Sequence, residues 1–421
     1  MSLGVILTSA ACGLAPDPVP SPSPSSSPIS VTDFGAEGSG NADDRPAIQR
    51  ALDAGAKSGR EVHFPAGLYF LGSATAPGDH LLRTYPGQRL IGAGSDEVTL
   101  KIASRTPAYR AVIATASPSI EVGTWVMRGL TIDQSAMAGN LLSIPEMAKY
   151  PRMAVQVGSH NAGSAISVTD NGFVDSDSVN IVYVFAEHVD VSRNRFSSIG
   201  GVVGGPVHDH SSVYVTVTQP EGVLIIRENQ FNGNRGSSGA RTAVETHGGR
   251  QVVTGNSVDG YLRGANVTGV AGAPSDSIIV QGNKVVDAMI GVQVWALEPE
   301  PGVLGRGQLG TVAIAGNDLG LSSRHWLSSY PKLFPVAVLV NTSNDSQIRL
   351  LSVIRNRIAY EQGAGSVAVQ PPGVVVCRTS TPAGQVKSVQ VIDNDIERAP
   401  APLADEACRG SAFIARENRT S

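Results

Sequence analysis

VDVSRNRF at Val189–Phe196, LIIRENQF at Leu224–Phe231, QVVTGNSV at Gln251–Val258 and IIVQGNKV at Ile278–Val285 repeat one short pattern, and that pattern decides the fold. It continues as VAIAGNDL (Val312–Leu319), LSVIRNRI (Leu351–Ile358), VQVIDNDI (Val389–Ile396) and FIARENRT (Phe413–Thr420). The shared asparagines are Asn194, Asn229, Asn256, Asn283, Asn317, Asn356, Asn394 and Asn418, spaced by 24 to 39 residues. Five and three residues before each Asn the side chain is apolar, except at Gln251, and two residues after it is apolar, except at Thr420. This is period-two alternation, a turn, and a second inward-facing strand. Asn suits such a turn because it tolerates left-handed backbone and its amide can bond to the copy one coil away. Variable loops with a fixed turn imply a solenoid, read here as a right-handed parallel β-helix. A β-propeller would want longer units of several hairpins each, and a β-sandwich would not repeat.

Working outward, the 421-residue length suggests two or three domains on size alone, and the repeat replaces them with one rod of ten to thirteen coils. The 47 glycines and 26 prolines, with 5% aromatic residues, fit many turns joining Val/Ile strands. A helical bundle or coiled coil is excluded by that balance. With 32 basic residues, 36 acidic and a formal charge of -4, the chain has no electrostatic footprint for nucleic acid or an anionic lipid surface.

Residues 1–12 form a short apolar run, Leu3–Ala11, ending at Cys12, and residues 13–30 are a Pro/Ser-rich spacer. The first segment resembles a bacterial lipoprotein signal, in which the Cys after small residues carries the lipid. Ser9 stands where Leu is usual, and the positively charged leader is missing. This reading makes Cys12 the lipidation site of a secreted or cell-surface protein, held away from its anchor by an extended linker. The run is too short to span a bilayer. Cys377 and Cys408 are then an even pair, equally readable as a disulfide or as two buried thiols.

The β-helix domain is expected over 31–421. Its opening stretch carries Asp33-Phe34-Gly35-Ala36, Asp43-Asp44, Ala47-Ile48-Gln49, Ala51-Leu52 and Phe64-Pro65-Ala66-Gly67-Leu68-Tyr69. These residues resemble the start of pectate-lyase-like superfamily proteins, in the rhamnogalacturonase/epimerase-type branch, and the resemblance implies an all-β pectin-lyase-like solenoid with a short N-terminal capping helix. Asp44 should cap that helix, Pro46 should lie in its first turn, and Ala47, Ile48, Ala51 and Leu52 should form the stripe that plugs the open end. The acidic pair is thereby read as structural. The polygalacturonase-type set of paired aspartates with Gly-His-Gly and Arg-Ile-Lys is missing, so pectin specificity is not implied.

Ionisable residues gather in three consecutive coils. His208-Asp209-His210 precede a strand carrying Tyr214; Arg241 to Gly248 include Glu245 and His247; Arg263 follows, expected beside Arg241 on the neighbouring rung, and Trp295 lies one coil later. Glycoside hydrolysis needs two carboxyls, which Asp209 and Glu245 supply. Elimination needs a base at a sugar C5 proton and a cation for the uronate, which His210, His247 or Tyr214 with Arg241 or Arg263 supply. The same residues suit both mechanisms. Extracellular polysaccharide degradation is the expectation, hydrolysis before elimination or epimerisation, by a monomer. The competing readings are a non-catalytic glycan-binding surface protein and a tail-spike-like fragment, the latter without a trimer-forming segment. Trp295 is the candidate sugar platform. No cofactor is expected, except Ca2+ in the lyase reading; Asp170, Asp175 and Asp177 are a weak calcium candidate without dense ligand spacing. No Cys/His cluster suggests zinc.

Overall fold

A computed structural model describes residues 27–420 except 73–78, 104–108, 116–122, 138–148, 201–209, 238–239, 270–274, 297–307, 327–333, 343–345, 362–373, 380–385, 399–402, 405–407 and 409–411. The repeat becomes three parallel sheets of 13, 13 and 10 strands, in which each strand pairs with its counterpart one coil away. Within a coil the chain passes through the third sheet (for example Asn180–Ala186), then the first (His188–Ser192), turns, and enters the second (Arg195–Ile199). Thirteen rungs at about 4.8 Å give a rod about 58 Å long.

The ladder starts one coil earlier than the repeat pattern alone places it, at Asn171. From Asn171 to Asn394 each Asn donates both its Nδ2 (at 2.9–3.1 Å) and its backbone N–H to the Oδ1 of the next Asn. The second Nδ2 hydrogen goes back to a backbone carbonyl of the preceding coil, as from Asn229 to Val191. One expectation about the turn is corrected. The left-handed residue is the one before Asn: Asp170, Arg193, Glu228, Gly255, Gly282, Gly316, Arg355, Asp393 and Glu417 all have φ between 54° and 64°. Six of these nine carry a side chain, so the ladder hydrogen bonds hold a backbone that glycine alone would adopt without cost.

The apolar position two residues after Asn builds the interior. Phe173, Phe196 and Phe231 stack on successive rungs with centroids 4.8 and 4.6 Å apart, and Tyr261 meets Phe231 edge-on. Helix α1 (Arg45–Ser58) buries Ala47, Ile48, Ala51, Leu52 and Gly55 and packs against the first strands. Its cap departs from expectation. The Asp44 side chain makes no cap bond to the helix; its carboxylate accepts the backbone N–H groups of Glu37 and Gly38, tying down the preceding loop. Asp43 takes the N–H groups of Arg45 and Gly72 instead. Toward the other end, Cys377 and Cys408 are joined by a disulfide, with a Cα separation of 5.1 Å.

Candidate functional site on the third sheet

Along each strand of the third sheet, alternate side chains leave the core, so the outward face is a set of columns running down the rod. The central column is Tyr183, Tyr214, Glu245, Asn266, Gln293 and Leu339, each in register with the next. Two residues along the strands, the adjacent column runs Phe185, Thr216, His247, Thr268, Trp295 and Asn341. A third column on the other side carries Ser211, Thr242, Arg263 and Ile290.

These columns bring a charged cluster together. Glu245 is the sole carboxylate in the ten described strands of this sheet. It accepts from Ser211 Oγ on one oxygen, and on the other it meets Asn266 Nδ2 at 3.2 Å and His247 Nε2 at 3.2 Å. Burial pushes its carboxyl up, but the His247 hydrogen bond and charge, the Ser211 hydroxyl and the Arg263 charge outweigh burial and hold it below the usual glutamate range. The Thr268 hydroxyl donates to the Thr246 carbonyl at 2.8 Å, so its oxygen accepts from His247 Nδ1 at 2.8 Å. That fixes a proton on Nδ1 and leaves Nε2 facing the Glu245 carboxylate. The Tyr214 ring stacks on the imidazole at 4.5 Å and on Tyr183 at 5.1 Å.

Of the residues singled out from sequence, Tyr214, Glu245, His247 and Arg263 converge here. Arg263 N donates to Arg241 O, but the strand register sets Arg263 opposite Thr242, so the expected side-by-side pairing of Arg241 with Arg263 is off by one residue. Trp295 is in register with Thr268, one column away from Gln293. His210 is buried immediately before the Ser211 strand. Asp209 and His208 lie outside the described residues, as does Cys12. Ser211, Asn266, Thr268 and Gln293 carry no motif of their own in the sequence; the signal for them is Glu245 itself, since neighbours in register share its face.

Two of the three calcium candidates face arginines. Asp170 is paired with Arg193 at 2.7 Å, and Asp177 lies 3.6 Å from Arg152. Among the described residues no three His, Cys, Asp or Glu side chains form a group able to hold a metal ion.

Residues 28–293 match the model of the family described as rhamnogalacturonase A/epimerase, pectate lyase-like. The chain belongs to this family. Its curated relatives include the mannuronan C5-epimerase AlgE4 of Azotobacter vinelandii, 38% identical over 105 residues, which is 25% of this chain and 19% of the relative. Alginate lyase 7 of the same organism is 38% identical over 74 residues, covering 17% of this chain and 9% of the relative. The chain thus matches less than a fifth of either relative's length. Among solved structures, the tailspike protein of E. coli bacteriophage HK620 in complex with pentasaccharide superposes with a TM-score of 0.62 at 17% identity, over 93% of this chain and 67% of the tailspike. PfbA, a surface adhesin of Streptococcus pneumoniae, gives 0.51 at 16% identity, over 94% of this family member and 88% of the adhesin. These likenesses establish the shared β-helix.

Proposed function

We propose that this protein acts on a polysaccharide along the outward face of the third sheet, and that the polysaccharide contains uronic acids. The observation that carries the reading is the Tyr214, His247 and Glu245 constellation, with Arg263 close enough to lower the Glu245 carboxyl. Uronate chemistry at C5 needs a group that removes the C5 proton, a cation that neutralises the sugar carboxylate as charge builds on it, and a second proton carrier. The Glu245–His247 pair holds one transferable proton and the Tyr214 phenol is the other carrier. Arg263 supplies the cation. Once the C5–H bond has broken, two outcomes balance. The C4–O4 bond breaks, a proton goes to O4 and an unsaturated sugar remains; or a proton returns to C5 from the opposite face and the sugar is inverted. The names of the relatives, mannuronan C5-epimerases and an alginate lyase, favour this substrate class.

Hydrolysis is the second reading, and one feature favours it. Asp209 stands two residues before Ser211 in the sequence, Ser211 donates to Glu245, and hydrolysis would take Asp209 as the second carboxyl that the mechanism needs. The Cys377–Cys408 disulfide fits an oxidising compartment, and we place the protein outside the cytoplasm on that ground. Incubating the protein with mannuronan, polygalacturonate and a neutral glucan separates the readings. Unsaturated products absorbing in the ultraviolet, or C5 inversion seen by proton NMR, support uronate chemistry; new reducing ends without unsaturation on any of the three support hydrolysis.

A further inference from the structure

We infer that Asn266 and Gln293 form a subsite that accepts hydrogen bonds from sugar hydroxyls, next to the uronate position and toward Trp295. This rests on the proposed glycan reading and names how the neighbouring sugar unit is held. Asn266 is 2% exposed and Gln293 3% exposed, and they stand opposite each other on adjacent rungs. Asn266 Oδ1 and Gln293 Oε1 have no hydrogen-bond partner among the described residues. The orientation of the first is fixed, because its Nδ2 donates to Glu245 and a flipped amide would put two oxygens face to face.

A buried acceptor without a donor is destabilising, and native proteins rarely keep one without use. Here two occur side by side, one bonded directly to the charged cluster. The same column shows that the fold does not need an amide at the second position. On the next rung the equivalent residue is Leu339, which packs with Ile290, Val336 and Val376 in a small apolar cluster on this outer face. Continuing that cluster upward by one rung would place a leucine where Gln293 stands. The chain instead keeps a polar group at the boundary between apolar cluster and charged site. What such acceptors lack is a donor, and a sugar ring presents donors as hydroxyls. Both oxygens are closed to bulk water, so a sugar hydroxyl reaches them only by displacing the side chains that cover them, and once there it meets no competing solvent. Trp295 lies two residues from Gln293 on the same face, which places an indole where the ring of that sugar could stack.

Gln293→Leu tests this, with Gln293→Met as a second variant of similar length. Removing an orphaned acceptor from an apolar edge should leave the urea midpoint unchanged or higher, while KM for mannuronan oligosaccharides, or Kd by calorimetry, rises at least tenfold and kcat stays within about threefold. A lower midpoint in both variants, or an unchanged KM and Kd, would overturn the subsite. If oligosaccharides bind but no polymer is converted, and Gln293→Leu weakens that binding, the proposed chemistry fails and the subsite stands. If the variant instead turns over normally with an unchanged KM, the chemistry stands and the subsite fails. A wild-type protein that binds neither mannuronan nor neutral oligosaccharides sinks the subsite outright.

Discussion

Asn256 and Asn266 are ten residues apart on consecutive coils and use the same side chain in opposite ways. Asn256 is a ladder rung: its Oδ1 accepts from the backbone and side chain of Asn229, and its Nδ2 reaches Asn283, the Ile226 carbonyl and the Thr254 carbonyl. Nothing in that amide is left over. Asn266 spends one donor on Glu245 and keeps a buried acceptor unmatched. Satisfaction marks the first as architecture, and the deficit marks the second as a group waiting for a ligand. The same contrast separates the self-paired asparagine ladder, at the turn between the first two sheets, from the charged cluster on the outward face of the third.

The largest effect expected is on the charged side of this comparison. Glu245→Gln keeps the shape and the Asn266 neighbour but removes the carboxylate that faces His247. Conversion of a uronate polymer should fall by about 10²–10⁴-fold, the usual worth of a positioned proton-transfer group. Circular dichroism and the thermal midpoint should stay close to wild type. A variant that retains more than a tenth of wild-type kcat would remove the Glu245–His247 pair from the chemistry.

Asn256→Ala should do the reverse. It strips several buried hydrogen bonds at once and orphans the Nδ2 and N–H of Asn229, a loss of about 3–4 kcal/mol at roughly 1 kcal/mol per net bond plus the unpaired donors. Urea unfolding measures it. Below the transition, KM and kcat should be near wild type, because the ladder turn does not touch the third-sheet face. Unaltered stability would mean that neighbouring coils close over the gap, and that the ladder is less rigid than its geometry implies.

How much of this was legible in the sequence follows from the same contrast. The ladder repeats, so each asparagine is visible against its copies, and the apolar positions around it state which side chains enter the core. Asn171 fits the pattern as well but sits within a polar stretch that reads as a loop. The left-handed residue has no sequence signature because it is chemically varied, being Arg, Glu, Asp or Gly, and only backbone geometry unites these. Asp44 misleads for a related reason. An acid before a helix reads as its cap, whereas the loop from Glu37 to Gly38 offers it two closer N–H groups. The site shows the opposite limit. Glu245, His247, Tyr214 and Arg263 stand out because charge is scarce in this chain, but register cannot be read to one residue, so Arg241 is paired one position out. Asn266, Thr268 and Gln293 are neutral residues among many others, and only their positions opposite Glu245, His247 and each other give them meaning.

Thr268 offers a finer test. Its hydroxyl sets the imidazole proton on Nδ1 without reaching substrate, so it is a positioning residue. Thr268→Val preserves shape and deletes that acceptor. We expect about a tenfold fall in kcat, a shifted pH–rate profile and an unchanged KM, with Thr268→Ser restoring most of the rate. A loss confined to stability, with the pH profile intact, would make Thr268 a packing residue only.

The smallest effect expected is in the pH dependence of stability, where the sign discriminates. Because the Glu245 carboxyl is held below its ordinary value of 4.5, the charged form favours the folded state. That contribution is present at all pH values above the unfolded-state value and is lost as pH falls through the lower folded-state value. The Glu245 contribution to the difference in urea midpoint between wild type and Glu245→Gln should therefore shift against the wild type on going below about 4.5. The ladder carries no titrating group, so the Asn256→Ala difference should not move over the same range. If the Glu245→Gln difference instead shifted in favour of the wild type on acidification, burial rather than the His247 and Arg263 charges would govern the carboxyl, and the pairing drawn here between Glu245 and His247 would have to be replaced by a protonated acid.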